Sequence, residues 1–101
     1  MTEAISTQEA VEVWKGELEK SYSDGQKSLG AEDVKTCVLN ICIDTQQPRT
    51  HLPENLRRLF EEADQRIKSA ELGRIVPECF NLADVLQDAR KSLAELQVSA
   101  G

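Results

Sequence analysis

The side chains able to do chemistry in this chain are few. His51 is the only histidine, and Cys37, Cys42 and Cys79 are the only thiols. Nucleophilic catalysis requires a nucleophile, a base and a group that orients the base. A Cys79/His51 pair is the one combination the residue types allow, and nothing around either residue supports it. His51 stands in a proline-bounded loop beside Thr50, and Cys79 falls on an apolar stripe, where a thiol is expected buried and unreactive. Treated as metal ligands, the same four residues are spaced C-x4-C-x8-H-x27-C, without the C-x2-C knuckle of common zinc sites. Residues five apart on a helix point ~140° from each other, which separates Cys37 from Cys42. The thiols are therefore read as small apolar side chains, and their odd number does not suit a secreted disulfide scaffold.

Carboxylates offer little more. Glu61-Glu62 and Glu9-x-x-Glu12 fall opposite the apolar stripes, on solvated faces. The Glu-x-x-His pairs of di-iron bundles are absent, as are G-x-G-x-x-G, the phosphate-binding G-x-x-x-x-G-K-[ST] and an EF-hand calcium motif. Asp24-Gly25 reads as a turn. The chain is expected to be non-enzymatic, with no cofactor, no metal and no catalytic residue.

Charge excludes a further class. Lys and Arg number 12 against 18 Asp and Glu, for a net charge of −6, spread over both halves. The densest positive positions, Arg57-Arg58 and Arg90-Lys91, sit among acids. With no basic stripe to neutralise phosphates, direct nucleic-acid binding is not expected. No apolar run approaches the ~20 residues that span a bilayer. The first ten residues carry neither a basic nor an apolar leader segment. A cytoplasmic protein without membrane contact is the resulting expectation.

The scaffold follows from periodicity. Ser6-x-x-Glu9 has the capping-box form and opens a first helix, with Val11, Trp14, Leu18 and Tyr22 along one face. Gly16 within it suggests close approach by another helix, and Ser23-Asp24-Gly25 ends it. Residues 25–30 read as a connection. Residues 31–47 fit two patterns. Val34, Cys37, Val38 and Ile41 line a helix face, whereas Cys37, Leu39, Ile41 and Ile43 alternate as a strand would. Helix is favoured, because no other segment reads as β and a lone strand lacks a partner. A loop containing Pro48 follows.

Residues 53–72 form the clearest helix, with Pro53 at its first position. Its stripe is Leu56, Phe60, Ala63, Ile67 and Ala70, broadened by Leu59, with Gly73 as its left-handed terminator. A last helix over 77–97 carries Cys79, Leu82, Leu86, Ala89, Leu93 and Leu96, widened by Val85, with Pro77 at its start and Asn81 as a later cap. Residues 1–5 and 98–101 are expected to fray. No internal repeat or second-domain linker is visible, so residues 1–101 read as one domain.

The fold expected is all-α: a small bundle of three to four helices built on an antiparallel hairpin of residues 53–72 and 77–97, with shallow coiled-coil-like packing. Leu86, at its centre, is expected to be indispensable. Ile75, Val76 and Phe80 are expected either to cap the hairpin or to serve as the partner-binding anchor, since aromatics dominate interface energies. The function expected is a protein–protein interaction module such as an adaptor, small chaperone or assembly factor. Its partner would be another protein or a second copy in a homodimer, because the two long stripes have few residues to cover them. The alternative is an acidic inhibitor or nucleic-acid mimic occupying a basic cleft.

Overall fold

The structure is a computed structural model, and it describes residues 4–73 and 78–100. Four helices run α1 (Thr7–Ser23), α2 (Ala31–Thr45), α3 (Glu54–Glu71) and α4 (Leu82–Ala100). Two three-residue strands, β1 (Ser28–Gly30) and β2 (Cys79–Asn81), and one 3-10 turn at Arg49–His51 complete the chain. Helix α1 packs on α2 and α4, and α3 packs on the same two, so the helices close a ring around one core. The all-α bundle is as expected, and its second element is a helix.

The core explains the register of each helix. Val11, Trp14 and Leu18 of α1 meet Val34, Val38 and Ile41 of α2, Leu56, Leu59, Phe60 and Ala63 of α3, and Leu82, Val85, Leu86, Ala89 and Leu93 of α4 in one buried cluster. Ser6 caps α1 by accepting from the Glu9 amide at 3.1 Å, which satisfies one of the helix's otherwise unpaired donors. At the C-terminus of α2, Gln46 takes the left-handed conformation at φ 54°, and Gly73 does so after α3 at φ 77°. Both positions stop a helix by turning the chain where an αR residue would continue it.

Several details differ from the sequence reading, among them the exposed Cys79 and the helical residues 98–100, expected to fray. Tyr22, at the end of the α1 stripe, is exposed, with Lys27 Nζ 5.0 Å from its ring centroid. No helix crowds Gly16, since a Cβ built there meets no atom within 4 Å. The last helix begins at Leu82 rather than at residue 77 and extends to Ala100. Asn81 supplies its cap, its Oδ1 accepting from the Ala83 amide at 2.9 Å. Pro77 lies outside the described residues.

The late start of α4 frees residues 79–81 to pair with 28–30. The ribbon is antiparallel and places Leu29 opposite Phe80, Ser28 opposite Asn81 and Gly30 opposite Cys79. Ala31 N to Glu78 O at 2.6 Å and Leu82 N to Lys27 O at 2.9 Å extend the pairing into the first residues of α2 and α4. The ribbon therefore joins the α1–α2 connection to the α3–α4 connection across one end of the bundle. At the other end, the Ile5 amide donates to Asp44 O at 3.1 Å, and the Glu54 amide donates to Glu95 Oε1 at 3.4 Å. The pairing exposes a short internal repeat. Leu29-x-Ala31-x-Asp33-Val34 recurs as Phe80-x-Leu82-x-Asp84-Val85, and both valines are fully buried.

Candidate interaction surface

The structure separates the residues that might have formed a catalytic pair. Cys79 is exposed on β2, at the ribbon end of α3, and His51 precedes α3 at its opposite end, where Nδ1 lies 2.9 Å from Gln47 Oε1. The 18 residues of α3 intervene, a length of ~27 Å. Cys37 and Cys42 are half-buried on different sides of α2. Burial pushes the Cys37 thiol up; Glu17 and Asp33 push it further, while the Trp14 indole opposes them. Cys42 is likewise raised by burial, against the nearby Arg49. Raised thiols hold little nucleophilic thiolate at neutral pH. Among the described residues, no three His, Cys, Asp or Glu side chains come together as a cation site.

Helix–loop–helix units are also the setting of EF-hand calcium loops, whose ligands fall at positions 1, 3, 5, 7, 9 and 12, with glycine at 6. Counted back from Asp33 in the first turn of α2, positions 1, 3, 5 and 6 are Tyr22, Asp24, Gln26 and Lys27. Counted back from Asp84 in α4, positions 1, 3 and 5 are Gly73, Ile75 and Pro77. Neither frame supplies the anionic set, and Lys27 puts a cation where the sharp turn needs glycine. The two connections join the halves of the bundle by backbone pairing and the Leu29–Phe80 contact.

Phe80, the aromatic expected either to cap the hairpin or to anchor a partner, occupies the cap position. It is buried in the core cluster, and the Arg66 guanidinium lies 3.9 Å from its ring centroid. Arg66 Nη1 also donates to Cys79 O at 2.7 Å, and Nη2 donates to Glu62 Oε1 at 2.7 Å. Ile75 and Val76 lie outside the described residues.

An open apolar surface is found elsewhere, in the groove between α1 and α2. Ala10, Val13, Trp14 and Glu17 of α1 and Cys37, Asn40, Ile41 and Asp44 of α2 line a cleft of about 150 Å³. Of its lining, Val13 is 58% exposed, while Leu39 at 41% and Ile43 at 70% are exposed elsewhere on the outer side of α2. At its floor, the Trp14 indole N–H is buried and makes no hydrogen bond of sound geometry, with the Cys37 thiol close enough to be influenced by it but not to satisfy it. A buried, unpaired donor of this kind costs ~1–3 kcal/mol. The sequence carried a partial sign of this face: Val13 is one of the apolar residues left over once each helix has been assigned its core stripe, as are Leu39, Ile43, Leu72 and Val98 elsewhere.

On α3 three of the five acids are paired, Glu54 to Arg58 at 3.0 Å, Glu62 to Arg66 at 2.7 Å, and Asp64 to both Lys35 at 2.9 Å and Lys68 at 3.0 Å, while Glu61 and Glu71 take no ion pair among the described residues. The Lys35 and Lys68 hydrogen bonds hold Asp64 below the usual carboxylate range. On the α1–α4 edge, Glu19 bridges Lys15 at 3.0 Å and Arg90 at 3.5 Å. A larger, shallow depression of about 470 Å³ beside α3 is lined by Arg49, Arg58, Phe60 and Asp64. Its charges face one another, and Arg49 stacks 4.2 Å from the Phe60 ring centroid. Among the described residues, Glu17 and Asp44 at the groove take no ion pair. No helix among the described residues is long and apolar enough to cross a membrane. No family model, no curated protein and no solved structure matches this chain.

Proposed function

We propose that this protein is a non-enzymatic protein–protein interaction module that docks its partner on the α1–α2 face. One observation carries the reading. Val13, 58% exposed, leaves apolar surface in water at the mouth of a cleft floored by Trp14 between α1 and α2, although the same four helices close a complete core elsewhere. Contiguous exposed apolar surface with a polar rim is characteristic of interaction sites, and a buried aromatic at the centre of such a patch is the usual energetic anchor. Closure of the ring by α2 meets the shortage of covering residues from which a homodimer was expected, so a partner is needed for this face and not for the core. The acidic-mimic alternative has less support, because the carboxylates of α3 are interleaved with Lys and Arg in ion pairs.

A photo-crosslinking residue placed at 13 or 40, both exposed at the cleft, compared with one at 61 or 87 on α3 and α4, tests the reading in cells of the native host. Adducts to a second polypeptide are expected from positions 13 and 40 only. Adducts of equal yield from all four positions, or confined to 61 and 87, overturn it.

A further inference from the structure

The two halves of the chain are shaped for each other. Every helix packs more closely on a helix of the opposite half than on its neighbour in its own: α1 on α4, and α2 on α3. The ribbon also runs between halves, with Leu29 against Phe80, and the bonds from Ala31 N to Glu78 O and from Leu82 N to Lys27 O at its ends do the same. One covalent connection, residues 46–53, joins these complementary halves. It leaves α2 at Gln46, a residue other than glycine held in the left-handed conformation at φ 54°, where a Cβ crowds the next carbonyl. Gln46, Gln47, Pro48 and the Arg49–His51 turn are exposed. The buried end of the connection, Leu52, belongs with α3, since Arg57 Nε donates to Leu52 O at 3.0 Å.

We propose that residues 46–51 are an exchange hinge, through which two copies of this chain form a dimer, the first half of each packed on the second half of the other. Such a dimer reproduces every contact between the halves, so the hinge and the protein concentration decide between it and the closed chain. In the open form Gln46 leaves the left-handed region and α2 runs on toward Pro48, which stops the helix and directs the chain to its partner. The exchange is independent of what docks at the α1–α2 cleft, because each exchanged unit retains that cleft.

Two substitutions at exposed Gln46 move the balance in opposite directions. Gln46→Gly relieves the left-handed strain and favours the closed chain. Gln46→Val, β-branched, increases the strain and favours the dimer. Both states are folded, so effects of either substitution on the unfolded chain cancel. Each chain is unfolded in urea, refolded at several protein concentrations and sized by gel filtration with light scattering. The dimer fraction is expected to rise with concentration. The dimerisation constant is expected to fall roughly tenfold or more in Gln46→Gly, since each dimer opens two hinges, and to rise in Gln46→Val.

A link across the ribbon separates exchange from surface association. Gly30 stands opposite the native Cys79, and a Cβ built at Gly30 comes no nearer than 3.4 Å to the Asp33 side chain. After mild oxidation of Gly30→Cys, the dimer fraction is expected to run as two linked chains on a denaturing, non-reducing gel and the monomer fraction as one. The parent, oxidised alongside, accounts for links among the native thiols. Three results overturn the proposal: dimers whose link lies within one chain, a Gln46→Val chain that stays monomeric at every concentration, or equal dimer fractions in the parent and both Gln46 variants.

Discussion

Leu29 lies directly across the ribbon from Phe80, and this one pair ties together connections that are 51 residues apart in sequence. The ribbon holds the entrances of α2 and α4 side by side, so it fixes the height at which Val34 and Val85 enter the core. Phe80 is the larger partner, and it is held from outside by Arg66, which stacks on the ring and donates to Cys79 O.

Phe80→Ala removes a buried aromatic whose cavity the short ribbon cannot collapse to fill. A loss of ~3–5 kcal/mol is expected in urea or thermal unfolding followed by circular dichroism. Arg66→Lys keeps the charge and gives up the planar stack and the fork that joins Cys79 to Glu62. It is expected to cost about 1 kcal/mol. A Phe80→Ala variant that melts with the parent would show that the ribbon does not organise the bundle.

Gly16 gives the opposite sign. It sits inside α1, it is exposed, and an added Cβ meets nothing within 4 Å. Glycine in a helix interior loses more backbone entropy on folding than alanine does, so Gly16→Ala is expected to stabilise the fold by ~0.5–1 kcal/mol. The check is the denaturation midpoint at constant m-value. A destabilised Gly16→Ala would mean that something approaches this surface closely.

These two positions mark where the sequence was legible and where it was not. Periodicity located α1, α3 and α4, because a stripe such as Leu56, Phe60 and Ala63 is written locally and repeats, whereas over α2 it fitted a strand as well and the helix was favoured only because no β partner was visible. The ribbon is written in three residues per strand, and each strand carries a single apolar side chain, too few for an alternation to register. Its only sign was the matched Asp33-Val34 and Asp84-Val85 after Leu29 and Phe80, which helical periodicity alone does not detect. Cys79 and Pro77 were drawn into the last helix because Cys79 falls in register with Leu82 and Leu86, although chain pairing at residues 79–81 prevails over that register. Gly16 was misread because glycine serves equally at close approaches and where nothing approaches, and only the neighbours distinguish the two. The groove was hidden for a related reason: Val13 looks like ordinary scatter until the packing places it beside Trp14 and Ile41 at the α1–α2 cleft.

The three thiols are expected to divide into one fast and two slow. Cys79 is exposed on β2, while Cys37 and Cys42 are half-buried with thiols raised by burial. An aromatic disulfide reagent at mildly alkaline pH should therefore label Cys79 promptly and the other two only as the protein opens, since the thiolate is the attacking species. Mass spectrometry of the partly labelled chain identifies the site. Prompt labelling of Cys37 would mean that the floor of the groove is open to solvent.

Asp88 provides the pH test. Burial raises its carboxyl above the usual range; Lys91 and Arg58 lower it and Glu62 and Asp84 raise it, without reversing the shift. The folded protein therefore takes up the Asp88 proton at a higher pH than the unfolded chain does. Between those two values the native state binds more protons, so this residue's contribution to stability grows as pH falls and diminishes as pH rises. Asp64 acts in the opposite sense: the bond to Lys35, then that to Lys68, lowers its carboxyl, so its contribution is present above the ordinary carboxylate range and is lost as pH falls through the lowered value. Asp88→Asn keeps the shape and removes the charge. It is expected to raise the melting temperature at neutral pH and to leave it unchanged in acid, where the native Asp88 is already protonated. Melting curves of the two proteins across that range should converge on the acid side. A constant offset at every pH would assign the change to packing around Asp88 and not to its charge.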